Sequence, residues 1–449
     1  MLLFIPIVLA APPPDQPLLS TGAITTVLDN GLTVILEEAR RTDTVALHLR
    51  FGVGSRDEED GERGCAHLFE HLMFEGSANV PGASFDAWLT QAGGSNNAWT
   101  SEDTTAYHMT FPSGAAELAL FLESDRLGFL SAGVTEENVA NQRDVVLQER
   151  AEGYADPHGR DWDTFSRLMW PEGHPYHVPV IGTVADVEGF SVAGTQDFWQ
   201  RHYRPDNTVL ALVGNFDAEE MLARVEWWFS DVPGKPAPQT PRLTETVLPE
   251  GGGNGVLEDG VEDWGLWMGW STPAGLHPDA AALETLSYIL SYGRGTRLDD
   301  AMYYKRRIAS ETWAWLSAGE LASQFIIYTA AMKPKISKMD RMITGVLADI
   351  IDHPPTPAEM ARTKSVMLAG LLDSLERPED RAEHLTDCMV HYGRPDCFAE
   401  EWKRYADVTA EDVVRVTQTW LTPERRTTLS VIPEGTEGAL PGAVSVELP

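Results

Sequence analysis

A stretch rich in Pro and Gly, residues 233–253, divides the chain into two parts. It is polar, has no hydrophobic periodicity and ends in three consecutive glycines, which is typical of a linker. The chain has 449 residues, of which 43% are hydrophobic, so it can bury large cores. We predict four segments: a leader over residues 1–22, a lobe over 23–232, the linker over 233–253 and a second lobe over 254–449.

The first part contains the sequence His67-Leu68-Phe69-Glu70-His71. Residues three and four positions apart share a helix face, so both imidazoles can bind one metal ion while Glu70 projects beside them. The Glu precedes the second His, which is the inverted H-x-x-E-H form of a zinc hydrolase motif. The surrounding residues are apolar and predict a buried helix, where histidines need partners. The pattern indicates a zinc site with a base, and the alternative is two incidental histidines on a surface helix.

A catalytic zinc ion usually has three protein ligands, and the third is expected from a distant residue. Residues 135–153 read as a helix with Thr135 as its N-cap. Helical spacing predicts one inward face on it, formed by Gln142, Val145, Val146 and Glu149. Glu149 is therefore the candidate third ligand and Glu152 the backup. An ion pair between Glu149 and a neighbouring arginine at the surface is the alternative.

A series of motifs in the same order resembles the inverzincin metallopeptidases, the family of pitrilysin, insulin-degrading enzyme and the mitochondrial processing peptidase. The metal helix lies in the second motif, and Asn97-Ala98-Trp99-Thr100 is similar to the family's Asn-Ala-x-Thr segment. In chain order the motifs are residues 28–32, 64–77, 97–100, 142–149, 173–176 with 181–183, and 203–207 leading to 213–214. The chain looks like a bacterial, processing-peptidase-like member of this family.

The resemblance implies an α+β fold of two homologous lobes, each a mostly antiparallel sheet packed with helices. It implies a zinc endopeptidase that acts on extended peptides or unfolded segments and binds one Zn²⁺ per chain. His67, His71 and Glu149 would be the ligands and Glu70 the general base.

The resemblance also assigns roles outside the metal site. Asn97, Ala98, Trp99 and Thr100 would form a strand edge that binds the peptide by β-augmentation, with an ordinary strand or loop as the alternative. Gln142 stands where many relatives have Glu, and its amide can orient a ligand but cannot act as a base.

The second lobe is expected to lack a metal. When the two lobes are aligned on Gly76 and Gly293, the positions of the first lobe's metal motif fall on Glu284, Ser287 and Tyr288. Self-sufficient relatives also carry an Arg and, seven residues later, a Tyr in this lobe. Those positions hold Tyr303 and Ser310 here, and no Tyr lies seven residues beyond Arg306 or Arg307. We therefore expect a homologous subunit to supply the pair, in a heterodimer or a homodimer, and the alternative is a non-catalytic scaffold or peptide-binding subunit.

The N-terminus bears on location. Residues 2–11 form a short apolar run with a small-residue cleavage site at Val8-Leu9-Ala10, although no basic residue precedes it. The first basic residue is Arg40, which argues against a mitochondrial transit peptide. We predict a bacterial envelope protein, periplasmic or secreted, with an ordinary N-terminus or a misplaced start as the alternative. The run is too short to span a bilayer, so we expect no stable membrane insertion.

The net charge bears on the partners that the chain can have. The formal charge of −34 disfavours nucleic acid as a partner; it could attract cationic peptides or simply maintain solubility.

Cys65 is expected to be a buried thiol, and the pairing of Cys388 with Cys397 stays open because sequence does not supply disulfide geometry. Trp313 and Trp315 alternate as in a strand and are predicted to lie in the core.

Overall fold

The computed structural model describes residues 22–82, 84–235, 242–244, 246–305 and 307–446. The predicted leader lies outside the described residues except for Gly22, and residues 236–241 and 245 of the predicted linker also lie outside them. The described chain forms two six-stranded mixed sheets packed with helices. The predicted α+β class with two lobes is confirmed.

The first sheet has the order β1-β2-β6-β3-β5-β4. Its strands are β1 Ile24–Val27, β2 Thr33–Glu38, β3 Thr44–Phe51, β4 Ser95–Thr100, β5 Thr105–Pro112 and β6 Thr208–Gly214. The helices of this part are α1 Cys65–Leu72, α2 Ser84–Gln91, α3 Ala116–Phe129, α4 Glu136–Ala155, α5 Asp161–Met169, α6 Val184–Gly189, α7 Val192–His202 and α8 Ala218–Phe229.

The second sheet has the order β12-β7-β11-β8-β10-β9. Its strands are β7 Gly253–Asp259, β8 Trp264–Pro273, β9 Glu311–Ser317, β10 Ala322–Ala331, β11 Arg426–Pro433 and β12 Val444–Ser445. Its helices are α9 Ala280–Ser291, α10 Ile336–Asp352, α11 Pro357–Ser374, α12 Pro378–Tyr392, α13 Phe398–Ala406 and α14 Ala410–Trp420. Five strands of the second sheet repeat the arrangement of the first. In each sheet a parallel pair, β2 with β6 in the first and β7 with β11 in the second, is followed by three antiparallel strands.

The helices follow from local patterns. In α10, buried residues recur at helical spacing from Ile336 through Ile343 to Ile350, which gives the helix one apolar face. The helix α11 begins with a capping box, in which Thr356 and Glu359 each accept a backbone N–H at the helix start. Such signals are local, so they are visible in the sequence before any packing is considered.

Each sheet is also covered by a helix from the other half of the chain. Ile35 and Ala211 of the first sheet pack against Leu385 of α12. On the second sheet, Phe165 of α5 lies over Gly269, where a Cβ atom would be only 2.6 Å from the ring carbon Cζ. Because α5 and α12 each pack on the sheet of the other half of the chain, the two lobes are interlocked.

An ion-pair cluster joins the lobes where the β4–β5 and β9–β10 connections meet. Arg56 contacts Asp103 at 2.9 Å and Glu320 at 2.7 Å, and Arg242 from the linker region contacts Asp57 at 3.0 Å. These groups are mostly buried, so breaking one pair would leave an uncompensated charge out of water.

Two local expectations about side chains need correction or completion. Trp313 was predicted to lie in the core, but it is 54% exposed because β9 is an edge strand and one of its faces is partly open. Trp315 packs against the core beside Trp267. The structure bonds Cys388 to Cys397, with Cα atoms 5.4 Å apart, and leaves Cys65 as a buried free thiol. None of the described helices is long and apolar enough to cross a membrane.

Candidate metal centre

The metal helix α1 begins at a tightly packed turn. Its N-cap, Gly64, has a φ of 99°, and a Cβ atom there would lie 2.8 Å from the carbonyl oxygen of Ile181. The buried carboxylate of Glu58 accepts the N–H groups of Gly64 at 2.9 Å and Ala66 at 2.8 Å. Burial holds the pKa of Glu58 well above its usual value, and these two hydrogen bonds oppose that shift. The start of α1 is thus held by the backbone at Ile181 on one side and by the Glu58 carboxylate on the other.

The orientation of α1 follows from its apolar face. Leu68, Phe69 and Leu72 are buried in the core of the first lobe. The Tyr107 hydroxyl on β5 donates a hydrogen bond of 2.9 Å to the carbonyl of Phe69. With this face fixed, the helical period turns the His67, Glu70 and His71 side chains toward a different side, where β4 and α4 pack.

Three candidate ligands converge on that side. Nε2 of His67 lies 3.9 Å from one carboxylate oxygen of Glu149, and Nε2 of His71 lies 3.4 Å from the other. The potential ligand atoms of all three residues lie within 4.8 Å of one another. Two imidazoles and one carboxylate are a donor set of a catalytic zinc site, which leaves a fourth position for water or substrate.

The environment of His67 suits a metal ligand. Burial is the main cause that lowers its pKa to about 4, so the imidazole is neutral near pH 7 and carries a free lone pair. Its Nε2 atom faces the Glu149 carboxylate but lies 3.9 Å from it, too far for a direct hydrogen bond. The residues present therefore fit a zinc ion.

The helix α4 is rotated from its predicted orientation. Val139, Gln142 and Val146 form its buried face, whereas Val145 is 43% exposed. The Glu149 side chain is 50% exposed and reaches the two imidazoles from the rim. The buried residues of α4 follow the spacing i, i+3 and i+7. Glu149 lies outside this buried face, but it borders an open cleft and can approach a metal ion from there. Glu152 accepts a hydrogen bond from Gln148 and is not part of the cluster.

Glu70, the predicted base, lies beside this cluster and is held by a strand. The Thr100 hydroxyl on β4 donates a hydrogen bond of 2.7 Å to Oε2 of Glu70. Burial raises the pKa of Glu70, the hydrogen bond from Thr100 lowers it, and the charge of Glu149 raises it further. This contact between Thr100 and Glu70 was absent from the sequence prediction because strand-to-helix packing has no signal in residue spacing.

The predicted peptide-binding segment forms most of β4. This strand is at the edge of its sheet and pairs with β5 alone among the described strands. Ala98 and Thr100 face α1, where Ala98 packs against the core and Thr100 meets Glu70. Asn97 and Trp99 alternate with them and face the opposite side of the sheet.

The second lobe differs at the corresponding positions. Glu284 accepts a hydrogen bond of 2.7 Å from the Tyr405 hydroxyl, Ser287 donates to the carbonyl of Glu284, and Tyr288 stacks on Tyr292. Of these, only Glu284 carries a usual metal-binding group, and it belongs to no metal-type cluster in the described part of the chain.

The Arg and Tyr positions are occupied by other residues. Tyr303 lies exposed in a π-helical turn, Asp299–Tyr304, with its ring against Tyr304. Ser310 donates a side-chain hydrogen bond to the carbonyl of Ala330. Arg306 is outside the described residues.

Comparisons with known proteins identify the family. The family model described as insulinase, peptidase family M16, matches residues 33–162, and the model described as peptidase M16 inactive domain matches residues 190–367. The zinc protease PqqE of Helicobacter pylori is 26% identical over 412 residues, covering 90% of this chain and 92% of that protein.

Solved structures share the fold. A crystal structure of a protease from Helicobacter pylori has a TM-score of 0.84 and 25% identity, and the match covers 92% of this chain and 100% of that one. The periplasmic protease PqqL of Escherichia coli has a TM-score of 0.74 and 20% identity, with 91% of this chain matching 47% of that one.

Proposed function

The chain belongs to the M16 family of peptidases, and from this premise we propose that it is a zinc-dependent endopeptidase that cleaves extended peptides or unfolded protein segments. The observation that carries the proposal is the convergence of His67, His71 and Glu149 beside a carboxylate, Glu70, that Thr100 holds in place. A relative named as a zinc protease supports the choice of metal.

His67, His71 and Glu149 would hold one zinc ion. When bound, zinc lowers the pKa of a water molecule and polarises a carbonyl group. The remaining work belongs to residues of the chain. Thr100 occupies Oε2 of Glu70, so Oε1 stays free to accept a proton from the attacking water and to pass it to the leaving amine. Burial raises the pKa of Glu70 above its usual value, which makes its carboxylate a stronger base than that of an exposed Glu.

The peptide would bind along β4. An extended segment can pair with the free edge of this strand through backbone hydrogen bonds, which need no particular side chain. The strand ends at Thr100, so a peptide paired along Asn97, Ala98 and Trp99 would run toward Glu70. Gln142 is buried on α4 two turns before Glu149 and would support the metal site from behind.

A homologous subunit would complete the site. Tyr303 and Ser310 stand at the positions where self-sufficient relatives carry Arg and Tyr, so the groups that hold the substrate backbone must come from another chain. A second copy carries the same two residues, which favours a different homologous chain over a homodimer. We place the enzyme in the bacterial envelope, from the leader-like N-terminal run; the similar Escherichia coli protein is named a periplasmic protease.

The test uses the purified full-length chain with and without candidate homologous chains. A library of long unstructured peptides is incubated with zinc-loaded protein, and cleavage is read by mass spectrometry. We expect cleavage that Glu70→Gln abolishes while zinc content is unchanged, and the exposed Glu152→Gln serves as a matched control that keeps activity. Zinc-loaded protein that never cleaves in any pairing would identify a scaffold or peptide-binding subunit instead.

A further inference from the structure

Four side chains with metal-binding groups meet where α12 and α13 come together. His384 and Cys388 lie one turn apart on α12. Cys397 is the N-cap of α13, and Glu401 lies one turn later, where its backbone N–H donates to the carbonyl of Cys397 at 2.8 Å. Each helix thus presents two such groups at i and i+4, the spacing that places them on one face. We name these four residues the α12–α13 cluster.

Three side chains of the cluster converge, and the fourth, Glu401, lies beside His384. A ring nitrogen of His384 and the sulfur atoms of Cys388 and Cys397 lie within 4.8 Å of one another. Oε2 of Glu401 lies 2.8 Å from Nε2 of His384. That nitrogen is buried and makes no hydrogen bond in the described part of the chain, although the carboxylate lies close to it. One nitrogen, two sulfurs and one oxygen form a donor set that zinc accepts.

We propose that the α12–α13 cluster is a redox-switched metal site, distinct from the site on α1. With the Cys388–Cys397 disulfide closed, the sulfurs are bonded to each other and the cluster binds no ion. With the disulfide reduced, Cys388, Cys397, His384 and Glu401 bind one zinc ion in a closed, four-coordinate site. Such sites are structural, since no position remains for water.

The switch balances with a dithiol as reductant. Two electrons pass from the dithiol to the protein disulfide, the S–S bond of the protein breaks, and the dithiol closes its own S–S bond, so that both protein sulfurs end as thiols. Binding of Zn²⁺ then releases the two thiol protons to solvent. Oxidation by a disulfide of the same class runs the sequence backwards and releases the ion.

The geometry requires only small movements. Tetrahedral zinc with Zn–S bonds of about 2.3 Å separates two sulfur ligands by about 3.8 Å. The Cα atoms of Cys388 and Cys397 are 5.4 Å apart, so side-chain rotation can open this gap without moving either helix.

The cluster lies beside a cavity. All four residues line this cavity of about 690 Å³ between the lobes, which also includes Trp99 of β4. Cys388 and Cys397 are themselves buried, so a small reductant and a metal ion in the cavity reach the sulfurs only after a local movement of the cavity wall. The third cysteine, Cys65, is the first residue of α1, is buried in the core of the first lobe and does not line this cavity.

Replacing the disulfide with a zinc ion would keep α12 linked to α13 and packed on the first sheet. The helix α12 covers the outer face of the first sheet, and Phe398 of α13 packs in the same apolar cluster. In an oxidising compartment the disulfide ties the two helices together. Under reducing conditions the ion would provide that link, so α12 stays docked in both states.

Cobalt provides the test because it reports sulfur ligands by colour. Full-length protein is prepared oxidised, or reduced anaerobically with a phosphine that adds no thiol, and is titrated with Co²⁺. We expect a thiolate-to-cobalt charge-transfer band in the near ultraviolet from the reduced protein and not from the oxidised protein. The proposed site on α1 has only nitrogen and oxygen ligands, so it cannot produce this band. The cobalt result would therefore stand even if the site on α1 bound no metal.

Variants assign the band to the cluster. The Cys388→Ser/Cys397→Ser protein, which keeps Cys65, should lose the band. His384→Ala keeps the disulfide when oxidised, so it should fold normally, yet its affinity for cobalt after reduction should fall at least tenfold. His391→Ala, a control on the same helix and cavity, should match wild type.

Zinc protection gives a second readout. Bound zinc should protect two of the three thiols of the reduced protein from alkylation and should restore the melting temperature that reduction lowers. His384→Ala should lose this restoration. A reduced wild-type protein without the band, a band that survives in the double serine variant, or His384→Ala with wild-type cobalt affinity would overturn the proposal.

Discussion

The hydroxyl of Thr100 donates a hydrogen bond of 2.7 Å to the carboxylate of Glu70, so the edge strand β4 and the helix α1 share one contact at the proposed catalytic site. The same strand is where we expect the peptide to bind. The proposed base is therefore positioned by the element that would carry its substrate, and a change in β4 should alter the position and the pKa of Glu70.

Thr100→Val should move the acid limb of the activity profile to higher pH. The hydrogen bond from Thr100 stabilises the ionised form of Glu70 and lowers its pKa, so its loss raises that pKa. A hydrogen bond to a charged group is worth about 1.5 kcal/mol or more, which corresponds to roughly one pH unit. The measurement is kcat/KM from pH 5 to 9. Thr100→Ser keeps a hydroxyl and should restore the wild-type profile, and an unshifted limb in Thr100→Val would contradict the assigned role.

Glu149→Gln should weaken zinc binding, whereas Glu152→Gln should not. Both residues are on α4, but only the Glu149 carboxylate lies beside His67 and His71. Loss of a charged ligand is expected to reduce affinity by about 100-fold or more. Competition against a chelating dye measures the two affinities. Equal affinities of the two variants would remove Glu149 from the ligand set.

Gly64→Ala should destabilise the protein more than Gly61→Ala. Both glycines have positive φ, at 99° and 87°, so alanine is strained at either position. Only at Gly64 would the added Cβ approach a backbone atom, the Ile181 oxygen at 2.8 Å, whereas nothing lies within 4 Å at Gly61. We expect Gly61→Ala to cost about 1 kcal/mol and Gly64→Ala about 2 to 3 kcal/mol.

Chemical denaturation of both variants gives the comparison. Zinc affinity of Gly64→Ala should also fall, because a displaced helix start moves His67. Equal losses of stability in the two variants would show that the packing of Gly64 against Ile181 is unimportant.

His158 should contribute stability that disappears at high pH. Its ring nitrogens each lie 2.9 Å from a carboxylate, one of Asp161 on α5 and one of Asp263 beside β8, so it links the two lobes. The hydrogen bond with Asp161 is the largest cause that raises the pKa of His158 from 6.5 to about 9. A raised folded-state pKa gives stability that is fully present below pH 6.5 and is lost as the pH passes through about 9.

Melting temperatures at pH 6, 7.5 and 9.5 test this dependence. His158→Asn tolerates the φ of 66° at this position and should lower the melting temperature at pH 6 far more than at pH 9.5. His353→Asn, at an exposed pair with Asp349, is the control and should have little effect. A deficit of His158→Asn that is the same at all three values of pH would refute the charge link.

Much of the site was predictable because its information is local. The spacing of His67, Glu70 and His71 determines that they share one side of a helix, whatever the helix packs against. Thr135 was predicted as an N-cap, and its side chain accepts the N–H of Asn138 as expected. The orientation of α4 was predicted less well, because apolar spacing alone did not separate the exposed Val145 from the buried Val146.

The sequence by itself therefore determined the family, the α+β class and the residues that α1 presents on one face. Only the tertiary structure decided that Glu149 approaches the imidazoles from an exposed rim, that Thr100 holds Glu70, that Glu58 caps α1, and that Cys388 pairs with Cys397 beside His384 and Glu401. Residue spacing defines which side chains share a face of one element. Which face meets which neighbour depends on the packing of whole helices and sheets, and that packing is settled by contacts between residues far apart in the chain.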